Sequence, residues 1–186
     1  MKTIGPKAYI HLDRCISNFE NIQKKVGDCA LLCVVKANGY GHGSIAIAKS
    51  ISDYENVHFA VFSIGEAVEL REANIENDII VFSRIQSDYI DVAYKNNIIL
   101  NLSSLDDIQN IKSYILKTGR CPRYHIKFET GMTRLGVEVE DAKLFYEKIT
   151  KELIIHPEGV YTHFATADEG DLSYAKKQLK KFKEVV

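Results

Sequence analysis

The sequence contains no tryptophan, three prolines and two methionines, and no apolar run approaches the roughly 20 residues that a membrane-spanning helix requires. Its first residues lack the apolar stretch of a secretory signal peptide, so a cytoplasmic location is predicted. The net charge is -1 at pH 7. This near balance gives no indication of binding to nucleic acid or to an anionic membrane surface.

Cysteine is also scarce, and its spacing argues against a metal site or a disulfide framework. The four cysteines are Cys15, Cys29, Cys33 and Cys121. They form no C-x-x-C pair and have no histidine at a metal-ligand spacing. Cys33 lies within an apolar run, where a thiol behaves as a small hydrophobic side chain. We therefore predict reduced, structural cysteines and no bound metal.

Six short apolar runs alternate with stretches of helical periodicity, and the whole has 46% hydrophobic and 26% charged residues, as in one globular domain. Predicted strands cover residues 31–35, 58–63, 78–83, 98–102, 124–128 and 159–163. Predicted helices cover residues 44–52, 64–73, 88–95, 105–116, 139–149 and 173–186. This alternation is typical of parallel βαβ units, whose strands are covered on both faces.

Two architectures fit such units, a doubly wound open sheet and an eight-stranded barrel. No G-x-G-x-x-G motif or Walker loop follows a strand, which disfavours a nucleotide-binding open sheet. A closed barrel has eight β/α units in about 250 residues. The sequence therefore predicts a parallel (β/α) TIM-type barrel that is incomplete, with about six of the eight units.

Reactive groups of parallel β/α folds gather beyond the carboxyl ends of the strands. Few polar residues of this chain occupy such positions. They are Lys36, Ser63, Arg84, Ser103, the segment 129–134 and His163.

Lys36 follows five apolar residues and opens a loop with three glycines. Partial removal from water favours the uncharged amine, which a Schiff base with a carbonyl cofactor requires. Tyr40 lies close enough in sequence to donate a hydrogen bond to a phosphate, and a helix starting near Ser44 would direct its first amides at the same anion. His42 is more simply explained as a support of the loop. The alternative is a strand-end lysine that reaches solvent.

Two further clusters follow later strands. Lys127 alternates with apolar neighbours, so its side chain is predicted to face the interior, where a lysine needs neutralisation or a partner. Arg134 follows a glycine turn and suits an oxyanion or a carboxylate. His163 ends the sixth strand, where it would stack on an aromatic ring or move protons. A surface arginine, a strand-edge lysine and a structural histidine are the alternatives.

Together these clusters resemble three signatures of the alanine racemases, which are barrel enzymes of fold type III that depend on pyridoxal 5'-phosphate (PLP). The matching segments are residues 34–43 (VVKANGYGHG), 127–136 (KFETGMTRLG) and 162–168 (THFATAD). Their order and spacing also fit, and the resemblance covers the whole chain. One departure is Glu129, which stands where the family usually has aspartate.

The resemblance implies a role for each residue. Lys36 would hold PLP as an imine and act as one of two catalytic bases, and Tyr40 would bind the cofactor phosphate. Arg134 would contact the phenolic oxygen of PLP and the substrate carboxylate. Lys127 would be the lysine that the family often carries as a carbamate, which orients that arginine. His163 would lie behind the pyridine ring. The implied reaction interconverts L- and D-alanine for the bacterial cell wall, in a homodimer.

The resemblance also implies a domain organisation. Residues 1–12 form an N-terminal segment whose strand, residues 7–12, would pair with a C-terminal β domain, and residues 13–186 form a partial PLP-binding barrel. The family's second base, a tyrosine of that β domain, has no recognisable counterpart in the chain, so the isolated chain is expected to be inactive. A non-catalytic PLP-binding or structural fragment, a serine racemase and another type III enzyme such as a decarboxylase stay open as alternatives.

Overall fold

The first regular element is a helix that was not among the predicted helices. In the computed structural model, which describes residues 5–153 and 156–186, α1 spans Leu12–Val26 and ends at Gly27, whose φ is 65°. Residues 6–11 have no regular secondary structure, and residues 1–4 of the predicted N-terminal segment lie outside the described residues. Leu12 thus belongs to a helix and not to a strand, while pairing of the segment with a C-terminal domain stays a prediction.

The chain divides into two compact units, the first ending at Ile79 and the second beginning at Ile80. After α1, the first unit contains β1 (Leu31–Val34), α2 (Ser44–Ile51), β2 (Val57–Val61) and α3 (Ile64–Glu72). β1 and β2 are parallel, with Leu31 opposite Val57 and Val34 opposite Ala60. The predicted βαβ arrangement of this part is confirmed.

β3 (Ile79–Val81) begins at the boundary, and the second unit continues with four more strands and four helices. They are α4 (Ile90–Lys95), β4 (Ile98–Leu102), α5 (Leu105–Thr118), β5 (Tyr124–Glu129), β6 (Val137–Glu138), α6 (Ala142–Glu152), β7 (Gly159–Tyr161) and α7 (Ser173–Phe182). β5 lies between β4 and β7 and is parallel to both. The two-residue strand β6, which was not predicted, pairs with the end of β5 at Phe128.

The predicted burial of both strand faces holds for some strands only. All five residues of β4 are buried, as are four of five in β2. In β1, however, Leu32 and Val34 are exposed and alternate with half-buried residues. Among the described residues, β1 pairs only with β2, which leaves its other edge open. No helix of the described part of the chain has the length and apolarity to cross a membrane.

Candidate active site

Lys36 lies just beyond the carboxyl end of β1, separated from it by the buried Val35. Its side chain is half-buried, and its Nζ atom is 5.8 Å from the centroid of the Tyr40 ring. That ring is 60% exposed. The predicted pair of amine and phenol therefore lies together at an accessible position.

The backbone between these two residues forms a left-handed helical turn. Ala37, Asn38 and Gly39 have φ of 52°, 52° and 60° with ψ of 48°, 47° and 40°, and Tyr40 has φ of 54°. Three of the four carry a side chain, and each such residue costs roughly 1–2 kcal/mol in this conformation. The turn persists only because contacts with the surrounding structure stabilise this conformation.

Backbone and side-chain hydrogen bonds are among the contacts that hold the left-handed turn. The N–H of Gly39 donates to the carbonyl of Val35 at 2.8 Å, and the N–H of Gly43 donates to the carbonyl of Asn38 at 2.8 Å. The Asn38 side chain accepts from the N–H of Ser44 at 3.1 Å. The first amide of α2 is therefore used within the loop, and the direction of the following amides towards a bound anion stays a prediction. His42 supports the loop as predicted, since its Nδ1 lies 3.0 Å from the Gly39 carbonyl oxygen.

The second unit contains a polar cluster in its interior around Lys127. This residue is 5% exposed, and its Nζ lies 5.7 Å from the ring centroid of Tyr161, its register partner on β7. The Tyr161 hydroxyl donates to the Asn101 side chain at 2.9 Å, and the Asn101 amide donates to the Phe82 carbonyl at 3.1 Å. Burial raises the pKa of Tyr161, so the phenol stays a proton donor. The predicted inward direction of Lys127 is confirmed.

Arg134 lies on a loop whose backbone is held by Glu129, at the end of β5. The buried Glu129 carboxylate accepts from the backbone N–H of Gly131 and, at 3.2 Å, from that of Arg134. Burial raises the pKa of Glu129, but hydrogen bonds from the N–H groups of Thr133, Gly131, Arg134 and Met132 outweigh it, and the pKa lies below its ordinary value. The Arg134 side chain itself is exposed.

Replacing Glu129 by glutamine is expected to lower the free energy of unfolding by about 1–3 kcal/mol at neutral pH, because a neutral amide cannot accept from all of these N–H groups. Since folding lowers this pKa, the stabilisation is present above the unfolded value of about 4.3 and is lost as the pH falls through the folded value. Urea unfolding of both proteins at pH 7 and pH 3 checks this. An equal difference at the two pH values would contradict it.

Gln178 of α7 connects the Arg134 loop to the segment that contains His163. Its fully buried amide nitrogen lies 3.0 Å from the carbonyl oxygen of His163 and 3.3 Å from the Thr130 hydroxyl, and its oxygen accepts from Ala165 N–H at 2.9 Å. Thr130 also contacts the Thr162 hydroxyl at 2.8 Å. The His163 side chain is exposed. Gln178 was not predicted, because it lies among lysines that read as a solvated helix face.

The other strand-end candidates have partners of a structural kind. Ser63 caps α3. Ser103 donates to Asp107 through its N–H at 2.9 Å and its hydroxyl at 3.1 Å, and Arg84 donates to Ser104 at 3.1 Å. Of the site residues predicted from the sequence, Lys36 and Tyr40 lie together in the first unit. Lys127, Arg134 and His163 belong to the second unit, where Gln178 links Thr130, in the loop before Arg134, to the backbone of His163.

Comparison with known proteins identifies the family of this chain. The family model described as "Alanine racemase, N-terminal domain" matches residues 10–186. The alanine racemase of Streptococcus suis is 38% identical over 176 residues, which cover 94% of this chain and 47% of the relative. The chain spans about half the length of the relatives it matches.

Solved structures share the fold. Alanine racemase of Clostridium difficile 630 in complex with cycloserine has a TM-score of 0.86 and 32% identity, covering 94% of this chain and 48% of its own. A histidine racemase from Leuconostoc mesenteroides subsp. sake NBRC 102480 has a TM-score of 0.86 at 23% identity, which shows the fold alone. The predicted incomplete parallel β/α barrel is thereby confirmed, and the chain belongs to the alanine racemase family, in which it corresponds to the N-terminal domain.

Proposed function

We propose that the protein containing this chain is a PLP-dependent amino-acid racemase whose substrate is alanine. The observation that carries the proposal is the position of Lys36, whose amine follows β1 and lies 5.8 Å from the Tyr40 ring in a backbone turn that other contacts enforce. Family membership supports the same assignment.

The donor set suits PLP chemically. An amine can condense with the cofactor aldehyde, a phenol can donate to a phosphate oxygen, and a guanidinium can pair with a phenolate or a carboxylate. Lys36, Tyr40 and Arg134 supply these three groups, and each of the last two is exposed to a ligand. PLP, when bound, withdraws electron density from the substrate Cα and so makes its proton removable.

The chain's residues then divide the work. Lys36 takes or returns the proton at Cα on one face, and Tyr40 binds the phosphate. Arg134 would orient the substrate carboxylate, and His163 would lie behind the pyridine ring of bound PLP. Lys127 would carry a carbamate, which would replace a buried cation by an anionic partner for Arg134.

Racemisation requires a second base on the opposite face of Cα, and we propose that this base lies outside the 186 residues of this chain, on the other subunit of a homodimer. A cytoplasmic location is part of the same proposal. Turnover by the isolated chain would instead assign both bases to it, and sedimentation of the full-length protein reports its oligomeric state.

A direct experiment combines binding and turnover. The purified full-length protein is expected to become yellow with PLP, and borohydride reduction should fix the label on Lys36, as peptide mapping would show. L-alanine should become D-alanine, with one solvent deuteron incorporated at Cα in D₂O. Faster racemisation of serine or histidine than of alanine would reassign the substrate, and the absence of all racemisation would refute the proposed activity.

A further inference from the structure

Glu66, in the first turn of α3, connects two loops at the carboxyl ends of β1 and β2. Its Oε2 accepts from the backbone N–H of Phe62 at 2.8 Å and of Ser63 at 2.9 Å. Its Oε1 accepts from the N–H of Ala37 at 2.6 Å. The carboxylate therefore turns back over the start of its own helix instead of pointing into solvent.

The Ala37 amide is the point at which the left-handed turn begins. It belongs to the peptide unit that joins Lys36 to Ala37, so holding this N–H fixes the orientation of the peptide that carries the lysine into the turn. Ala37 has φ of 52° without being glycine, a conformation that needs an external contact to persist. The carboxylate of Glu66 supplies that contact from a residue 29 positions away in sequence.

Helix capping alone does not account for this contact. The chain contains a matched case in α5, where Asp107 stands three residues after the cap Ser104 just as Glu66 stands three after Ser63. Asp107 accepts from the N–H and the hydroxyl of Ser103 through Oδ2, and its Oδ1 has no hydrogen-bond partner among the described residues. An acidic residue at this position can therefore cap its own helix without a hydrogen bond to a loop that is distant in the sequence.

We propose that Glu66 is a positioning residue for the site, which holds the Lys36–Ala37 peptide in the orientation that the left-handed turn requires. The expected effect on PLP binding rests on the proposed function, since a misplaced amine and phenol bind PLP less well. The hydrogen bond from Ala37 to Glu66 is independent of that function.

The test compares Glu66→Gln with the matched control Asp107→Asn in the full-length protein. A glutamine presents one acceptor oxygen and one NH₂ group to three backbone N–H groups, so at least one of them loses its partner. Two quantities are measured at a fixed pH, namely the hydrogen-exchange rate of the Ala37 amide without PLP and the dissociation constant of PLP. Glu66→Gln should raise both by about tenfold, the range expected for losing a hydrogen bond to a charged group.

The control should change the global stability but leave both quantities within about twofold of the wild type, because the capping hydrogen bonds of Asp107 among the described residues are made to Ser103 and Ser104. The residues of interest for both quantities are those of the lysine loop (residues 36–43). Unchanged Ala37 exchange in Glu66→Gln, or an equal increase in Asp107→Asn, would overturn the proposal. If Glu66→Gln does not fold, the exchange rate of the Ala37 amide in the wild-type protein decides. Slow exchange of this amide supports the proposal, and exchange as fast as in an unstructured loop overturns it. Wild-type protein that does not bind PLP refutes the proposed function, while the Ala37 exchange rate still judges Glu66.

Discussion

Replacing Lys36 by alanine is expected to abolish the attachment of PLP and to reduce racemase activity of the full-length protein by at least about 10³-fold. The substitution removes both the amine that condenses with the cofactor and one of the two proposed bases, and loss of a general base alone typically costs 10²–10⁴-fold. Racemisation rate and the yellow absorption after gel filtration measure the two effects.

The matched control is Lys49→Ala, which removes an exposed lysine of the neighbouring helix α2 in the same unit. It should retain cofactor colour and activity, because this amine lies on a solvated helix turn. If Lys36→Ala kept the borohydride-fixed label or wild-type turnover, another lysine would be the attachment site. Lys127, the buried lysine of the second unit, would then be the next residue to replace.

The parallel strands were predictable because each is a short apolar run that ends at a polar residue or a glycine. β4 was predicted at its observed bounds, Ile98–Leu102, and all of its residues are buried. Four of the other five predicted strands extended past the observed carboxyl ends, whereas β5 runs one residue further than predicted, to Glu129. β2, for example, stops at Val61, because the following residues turn to begin and cap α3, with Ser63 as its cap. A local sequence pattern predicts the existence of a strand more reliably than the residue at which the strand ends.

Two elements escaped prediction for different reasons. α1 carries apolar residues at helical spacing (Leu12, Ile16, Phe19, Ile22 and Val26), a readable pattern that the prediction of alternating strands and helices from residue 31 onward did not include. β6 has two residues and exists because it pairs with the end of β5, a contact that no local preference encodes. The sequence therefore indicates repeated β/α units, but not the contacts made by the segments between them.

In the candidate site, the residues proposed to react carry local sequence signals and their supports do not. Lys36, Arg134 and His163 stand at strand ends with glycine or aromatic neighbours, which mark them locally. Glu66 and Gln178 act through partners far away in the sequence, at separations of 29 residues to Ala37 and 48 to Thr130. Both residues read as ordinary exposed helix positions, because a supporting role depends on which loop the folded chain brings close.

Gly136 should be the glycine of the second unit that least tolerates alanine. Its φ is +140°, and a Cβ atom there would lie 2.6 Å from the Glu129 backbone nitrogen and 2.8 Å from the Phe128 carbonyl carbon. Both atoms belong to the backbone of β5, so no flexible side chain can move aside. Gly136→Ala is therefore expected to lower the free energy of unfolding by about 3 kcal/mol or more, by forcing β6 away from β5. Urea unfolding measures the loss.

The appropriate control is Gly119→Ala, at the end of α5, where φ is +68° and no atom lies within 4 Å of an added Cβ. This variant isolates the strain of a left-handed backbone, which costs roughly 1–2 kcal/mol. The difference between the two variants then measures the steric clash with β5. Because the Arg134 loop leaves β5 at Glu129 and returns to it through Gly136, separation of the strands should also break backbone N–H hydrogen bonds to the Glu129 carboxylate, and loss of these bonds raises its pKa towards the ordinary value. Equal stability of the two variants would contradict the close approach of Gly136 to β5 and, with it, the account of how the Arg134 loop is held.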